Sequence, residues 1–199
     1  VLGVFGTDAS SNFTAILCDV GGGTSDIAVI NDGGVEGTKS FGIGGRAFTR
    51  TIANQLDVEF DEAEKVKLQL GGDDITIDQK SQALTGIKKT LSVWLDGVEL
   101  ALSEFDAIDH LPNRILLCGG GASLQPLVKA LQETPWYKEL PFTKQPTVQH
   151  VTLDQIAGIK DNNGKVMDHT YVTAMGLLRV GYDTIVGTDD QSGSIKPKH

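Results

Sequence analysis

Positive charge is in short supply in this 199-residue chain. Lys and Arg number 17 against 26 Asp and Glu, a net charge of -9. That balance argues against a general nucleic-acid binder, which needs a basic face, and against direct adhesion to an anionic membrane. Cysteine is scarce as well. The two present, Cys18 and Cys118, each close an apolar run and are expected to be buried, reduced thiols in a cytoplasmic protein. No apolar run reaches the roughly 18 residues of a membrane span. No basic segment precedes an apolar one in the manner of a secretory signal. The first residues, Val1-Leu2-Gly3-Val4, lack an initiator Met and read as the end of an earlier element, so an excised piece of a longer protein is expected.

What remains is a globular balance of 40% hydrophobic and 22% charged residues. A chain of this length buries roughly 70% of its unfolded surface and needs no disulfide staple. Glycine is the outlier, with 24 residues in clusters.

Apolar runs at 13–20 and 25–30, and the segment 35–41, predict three strands. Asn31-Asp32-Gly33-Gly34 supplies the turn between the last two, and the three form an antiparallel meander. Helices follow. Phe48, Ile52 and Leu56 recur every four residues. The run 61–70 has its acids first and its lysines later, as the helix dipole favours. Leu84, Ile87, Leu91, Trp94, Val98, Ala101 and Phe105 mark a long amphipathic helix. Then the pattern reverts to strand (114–118), helix (123–132) and strand (147–151). A last helix, N-capped by Thr170, is expected to run through Val180, with a fraying polar tail from Thr184. The pattern predicts an α/β domain from 1–43 and 110–182, with a helical insertion at 44–109 and a flexible tail at 183–199.

Two glycine loops stand out. Asp19-Val20-Gly21-Gly22-Gly23-Thr24-Ser25-Asp26 follows one buried strand, and Gly119-Gly120-Gly121-Ala122-Ser123 follows another. Glycine lets backbone approach a ligand closely, and successive N–H groups form an anion cradle. The second loop also opens a helix, whose N-terminus favours phosphate or polar ligand atoms. Asp19, a carboxylate at a strand end beside such a cradle, suits a hydrated Mg²⁺, which takes few carboxylates and keeps its waters. Asp26 either orients the loop or touches the metal; the residues leave both open.

These residues carry a resemblance. DVGGGTSD resembles the second phosphate loop of the actin-like ATPase superfamily, and CGGGASLQPLVKAL its adenosine loop and following helix. GIGGRAFTRTIANQL with DEAEKVK, and the closing YVTAMGLLRVG, are most similar to the cell-division family FtsA and its pilus-assembly relative PilM. The likeness covers most of residues 13–182. It implies a ribonuclease-H-like lobe with a mixed sheet and a helical insertion subdomain. It implies ATP and Mg²⁺ as cofactors, with Gly21, Gly22, Gly23 and Thr24 around the phosphates and Asp19 as both metal ligand and catalytic residue. Gly120, Gly121 and Ala122 would line the adenosine. Glu64 and Lys67 would contact ribose and base, and Gly44 and Gly45 would sit near the nucleotide. The superfamily's first lobe, which carries the other phosphate loop, is the implied partner. Homo-oligomers or filaments, and division or pilus machinery, are the further ones.

Other readings are weaker. A chaperone-type or sugar-kinase-type lobe shares the loops. Gly42-Ile43-Gly44-Gly45-Arg46-Ala47 matches a variant dinucleotide fingerprint, but its preceding strand is polar, and helix-like DEAEKVKLQL stands where a second buried strand should end in an acid. Asp161, Asn163 and Asp168 form a polar turn rather than a calcium loop. His110, His150 and His169 lack metal-ligand spacing.

Overall fold

The computed structural model describes residues 13–72, 74–152, 155–156, 161–166 and 168–192. The first residues of the chain and the end of the tail (193–199), on which the sequence raised expectations, lie outside the described residues.

Five strands form one sheet: β1 (Ala15–Val20), β2 (Ser25–Asn31), β3 (Gly34–Phe41), β4 (Arg114–Cys118) and β5 (Thr147–His150), in the order β3-β2-β1-β4-β5. β1, β2 and β3 run antiparallel, with a register shift between Val29 and Ile30. β4 lies parallel to β1 and β5 parallel to β4. The expected meander is therefore observed, and the parallel β4 and β5 complete the mixed sheet that the family resemblance implies. β1 and β4, buried on both faces, are continuous apolar runs, as central strands covered by helices must be.

Side-chain alternation splits the sheet between two cores. On one face Ile16, Cys18, Val20, Ile27, Val29, Ile115 and Leu117 join a large cluster with three helices, α1 (Gly45–Leu56), α2 (Phe60–Gln69) and α3 (Ile77–Ser103). α4 (Gln125–Glu133) covers the same face through Leu127, Val128 and Leu131. On the other face Ala15, Leu17, Ala28, Ile30, Leu116 and Cys118 meet Val172 and Met175 of α5 (Val172–Ser192). Cys18 and Cys118 are free and buried. Burial pushes both thiols far up, Cys118 to about 12, so neither is nucleophilic at neutral pH.

The helix ends depart from the sequence reading for local reasons. α3 begins a full two turns before its first apolar marker because the Thr76 hydroxyl accepts from the Gln79 amide, a cap that precedes a polar stretch. The second glycine loop enters α4 through a 3-10 turn, Gly120–Ser123, which moves the helix start to Gln125. Thr170 is not the cap of the last helix. Asp168 accepts from the Thr170 amide, a 3-10 turn spans His169–Tyr171, and α5 then runs well past Val180 to Ser192. Along α5, Leu177, Leu178, Tyr182 and Ile185 are all exposed.

One buried polar chain ties helix to sheet. Trp94, with no exposed surface, donates its indole N–H to Ser25 Oγ at 2.8 Å, and Ser25 donates to the Ile43 carbonyl at 2.8 Å. Ser25→Ala should cost about 1–3 kcal/mol in urea unfolding, because it orphans a buried donor and a carbonyl together. Trp94→Phe added to it should cost less than the two singles summed.

Candidate functional site

Three glycine segments meet at the carboxyl ends of β1 and β4. The β1–β2 turn is closed by the Gly21 amide donating to the Thr24 carbonyl at 2.9 Å. α1 then starts directly on this turn. The Gly45 amide donates to Gly21 O at 2.9 Å and the Arg46 amide to Gly22 O at 2.8 Å. Those two N–H groups belong to the unsatisfied first turn of the helix, and the loop carbonyls serve as their cap. Contact is so close that a β-carbon on Gly44 would lie 2.6 Å from Gly21 O and 2.9 Å from the Gly22 and Gly23 backbone. The third segment follows β4. Gly119 takes φ 83°, a conformation that disfavours a side chain, and a β-carbon on Gly121 would sit 2.8 Å from Val20 O.

These segments wall a cavity of about 350 Å³. The first turn supplies Gly22 and the start of α1 supplies Gly45 and Arg46. α2 supplies Phe60, Glu64, Lys67 and Leu68. The turn after β4 supplies Gly120, Gly121 and Ser123, and Thr170 closes the rim. Of the residues expected from sequence, Gly22, Gly45, Glu64, Lys67, Gly120 and Gly121 therefore share one wall system. Gly21 and Gly44 lie behind it as backbone supports. Gly23 and Thr24 are exposed at the turn's outer edge. Ala122, expected at the wall, is instead fully buried, and its carbonyl faces His150 Nε2 at 2.9 Å.

Glu64 and Lys67 are more than a solvated pair. Lys67 Nζ donates to Glu64 Oε2 at 2.7 Å, to Thr49 Oγ1 at 3.0 Å and to the Gly45 carbonyl at 3.3 Å. Thr49, wholly buried, also donates a short hydrogen bond to Glu64. Burial opposes the charged Glu64, but the hydrogen bonds from Lys67 and Thr49 outweigh it and hold the carboxyl below its ordinary value. Thr49 was missed from sequence. Its one signal is a hydroxyl in the apolar stripe of Phe48 and Ile52, four residues after Gly45.

Asp19 faces the opposite side of the sheet. It lies directly across from Asp26 in the β1–β2 ladder and accepts a short hydrogen bond from the Thr173 hydroxyl of α5. Thr24 Oγ1 donates to Asp26 at 3.1 Å, so a hydroxyl rather than a backbone amide is the partner of that carboxylate. Asp19, Asp26, Lys39 and Thr173 border a second cavity, of about 320 Å³, with an apolar floor of Leu17, Ala28 and Val172. Two adjacent carboxylates with open space beside them suit a hydrated Mg²⁺. Among the described residues no group of three or more His, Cys, Asp or Glu is arranged to hold a metal by itself. Asp161 takes the amides of Asn163 and Val166 and closes a polar turn. His150 and His169, unflagged by the sequence as a pair, stack with centroids 3.9 Å apart beneath the second glycine loop.

The mixed five-stranded sheet and glycine segments at its strand ends define an actin-like ATPase fold. Residues 16–176 match the family model for cell division protein FtsA, and the chain belongs to that family. It is 30% identical to cell division protein FtsA of Enterococcus faecalis over 146 residues, 64% of this chain and 33% of that protein. To FtsA of Bacillus subtilis it is 25% identical over 186 residues, 84% of this chain and 38% of that protein. The chain thus spans 33% and 38% of the length of these two relatives. Among solved structures, a PilM–PilN type IV pilus biogenesis complex superposes with TM-score 0.65 at 17% identity, covering 88% of this chain and 47% of that one. MreB5 of Spiroplasma citri bound to ADP gives TM-score 0.55 at 18% identity, covering 96% and 59%. Among the described residues no helix is long and apolar enough to cross a membrane.

Two outcomes follow from the geometry. Gly44→Ala should destabilise by about 1–3 kcal/mol, since its β-carbon meets fixed backbone, whereas Gly42→Ala, with nothing within 4 Å, should be close to neutral in the same denaturation assay. The Glu64 carboxyl should titrate below the ordinary glutamate range by carbon-detected NMR, and Lys67→Ala should raise it. Because the folded value is depressed, the stabilisation it brings is present above the unfolded value and is lost as pH falls through the folded one.

Proposed function

We propose that this chain is the second nucleotide-binding lobe of an FtsA/PilM-like ATP-binding protein, acting in the cytoplasm as an assembly scaffold in cell division or pilus formation. The observation that carries the reading is the shared cavity. Glycine segments separated by up to a hundred residues, and the Glu64–Lys67 pair, converge on one space of about 350 Å³, within the usual size of a small-molecule site. In this reading residues 1–43 and 110–182 form the nucleotide-binding lobe proper and 44–109 its helical insertion.

Each residue then has a role. The turn Gly21–Thr24 holds the phosphates through backbone N–H groups beyond the Gly21 amide, which closes the turn onto the Thr24 carbonyl. Gly120 and Gly121 let the nucleoside approach the backbone closely. Glu64, kept charged and aimed by Thr49 and Lys67, accepts from the ribose hydroxyls. Lys67 steadies α1 against α2 through Gly45 and supplies the second polar contact. Asp19, oriented by Thr173, would hold Mg²⁺ through water, a group that would supply neutralisation of charge on the transferred phosphoryl group. A first lobe completes the cleft with a second phosphate loop, and nucleotide-dependent closure of the lobes gates self-association or contact with the division or pilus machinery.

Gly120 offers a clean test, since it lines the cavity and a side chain there meets no protein atom within 4 Å. Gly120→Leu should keep its melting temperature and lose nucleotide binding. This chain alone should bind ATP·Mg²⁺ only weakly, as one of two phosphate loops is present, and the two-lobed protein should bind it far more tightly in calorimetry. Asp19→Ala in that protein should remove the Mg²⁺-dependent part of binding and turnover. A Gly120→Leu variant that binds ATP like the wild type would remove the cavity from the site.

A further inference from the structure

Three charged side chains line the glycine-walled cavity: Arg46, Glu64 and Lys67. Two of them cancel, because Lys67 and Glu64 are bonded to each other at 2.7 Å and Lys67 is further committed to Thr49 and the Gly45 carbonyl. The net charge of the cavity is therefore that of Arg46. Its guanidinium lies over the middle glycine of the β1–β2 turn. A β-carbon built on Gly22 would meet Nε at 3.4 Å and Cζ and Nη2 at 3.7 Å. Its own backbone amide bonds Gly22 O at 2.8 Å, so the side chain's root is fixed to the same loop that it covers. Among the described residues Arg46 has no ion pair and its side chain has no hydrogen-bond acceptor. No acidic residue occupies the first turn of α1 to offset it.

A guanidinium offers five N–H donors in a planar fork matched to phosphate oxygens. We propose that Arg46 is the phosphate-counting residue of this site: it binds the distal phosphates of the nucleotide and sets preference for nucleoside di- and triphosphates over monophosphate and nucleoside. This deepens the nucleotide reading above and rests on it. The division of labour is spatial. Glu64 and Lys67 form a neutral wall for the uncharged nucleoside, and Arg46 marks the phosphate end at Gly22. On a chain of net charge -9, such a local cation also decides whether a polyanionic ligand can enter.

The test is an NMR titration of the isotope-labelled chain, which reads millimolar binding, with adenosine, AMP, ADP, ATP and inorganic pyrophosphate. In the wild type, affinity should climb with phosphate number, and pyrophosphate alone should shift the Arg46 side-chain Nε–H and the Gly22 amide. Arg46→Ala should leave adenosine binding unchanged and weaken ADP and ATP by about tenfold or more, the effect of losing one charge-assisted hydrogen bond. Arg46→Lys should recover part of it, as a point charge without the fork. The exposed position keeps both variants folded, which melting curves confirm. If wild type and Arg46→Ala bind ADP and ATP equally, Arg46 is not a phosphate contact, although the cavity reading stands. If neither nucleotide nor pyrophosphate shifts any cavity resonance at millimolar concentration, the nucleotide reading falls, and this proposal with it.

Discussion

Backbone against backbone, without side chains between, is the contact from which the site geometry follows. The Gly21 and Gly22 carbonyls cap α1, Gly44 lies against all three glycines of the first turn, and Gly121 rests on Val20. This does two things at once. It satisfies the amides of a helix start that has no side-chain cap, and it brings α1, and α2 packed against it, to the strand ends. Side chains at these positions would hold the elements several ångströms apart, and Glu64 on α2 and Gly120 beyond β4 would then no longer face one space.

Electrostatics divides along the same lines. The mainly apolar faces of the sheet are covered, and charge gathers at the strand ends in two separate places. Carboxylates Asp19 and Asp26 sit on one side with Thr173, and the neutralised Glu64–Lys67 pair with Arg46 sits on the other. The carboxylates and the guanidinium thus lie toward opposite faces of the sheet. For a ligand that combines a metal ion with phosphate groups, that segregation keeps the two kinds of contact from collapsing into ion pairs with each other.

Much of the fold was legible in the sequence because its signals are local. The apolar runs of β1 and β4, the turn at Asn31–Gly34 and the three-and-four spacing of α3 around Trp94 each point to one element. Their order agrees with the mixed sheet that the family resemblance implies. Helix starts were less legible, because caps are set by geometry. Asp168 rather than Thr170 opens the last helical turn, and Thr76 starts α3 ahead of its apolar stripe. Within the site, the glycines could be read from their clustering. Thr173 and the His150–His169 stack could not, and Thr49 showed only as a hydroxyl in an apolar stripe. Each gains its role from a partner distant in the chain, 154 residues away in the case of Thr173 and Asp19. Ala122 lies within the 3-10 turn that enters α4 and is buried there, with its carbonyl facing His150.

The pairing of β1 with β4 also governs how this chain reaches its native state. β1 finds β2 across a short turn, but its other edge must wait for a strand almost a hundred residues further on, with three helices between. Closing so long a loop forfeits chain entropy before any contact repays it, and pairings of this kind are the ones that slow folding. Until β4 arrives, Ile16, Leu17 and Cys18 present an open, flat, apolar strand edge, the kind that recruits neighbouring chains. Synthesis from the N-terminal end makes β1 before its partner β4, and in that interval the open strand edge is the feature that invites misassembly.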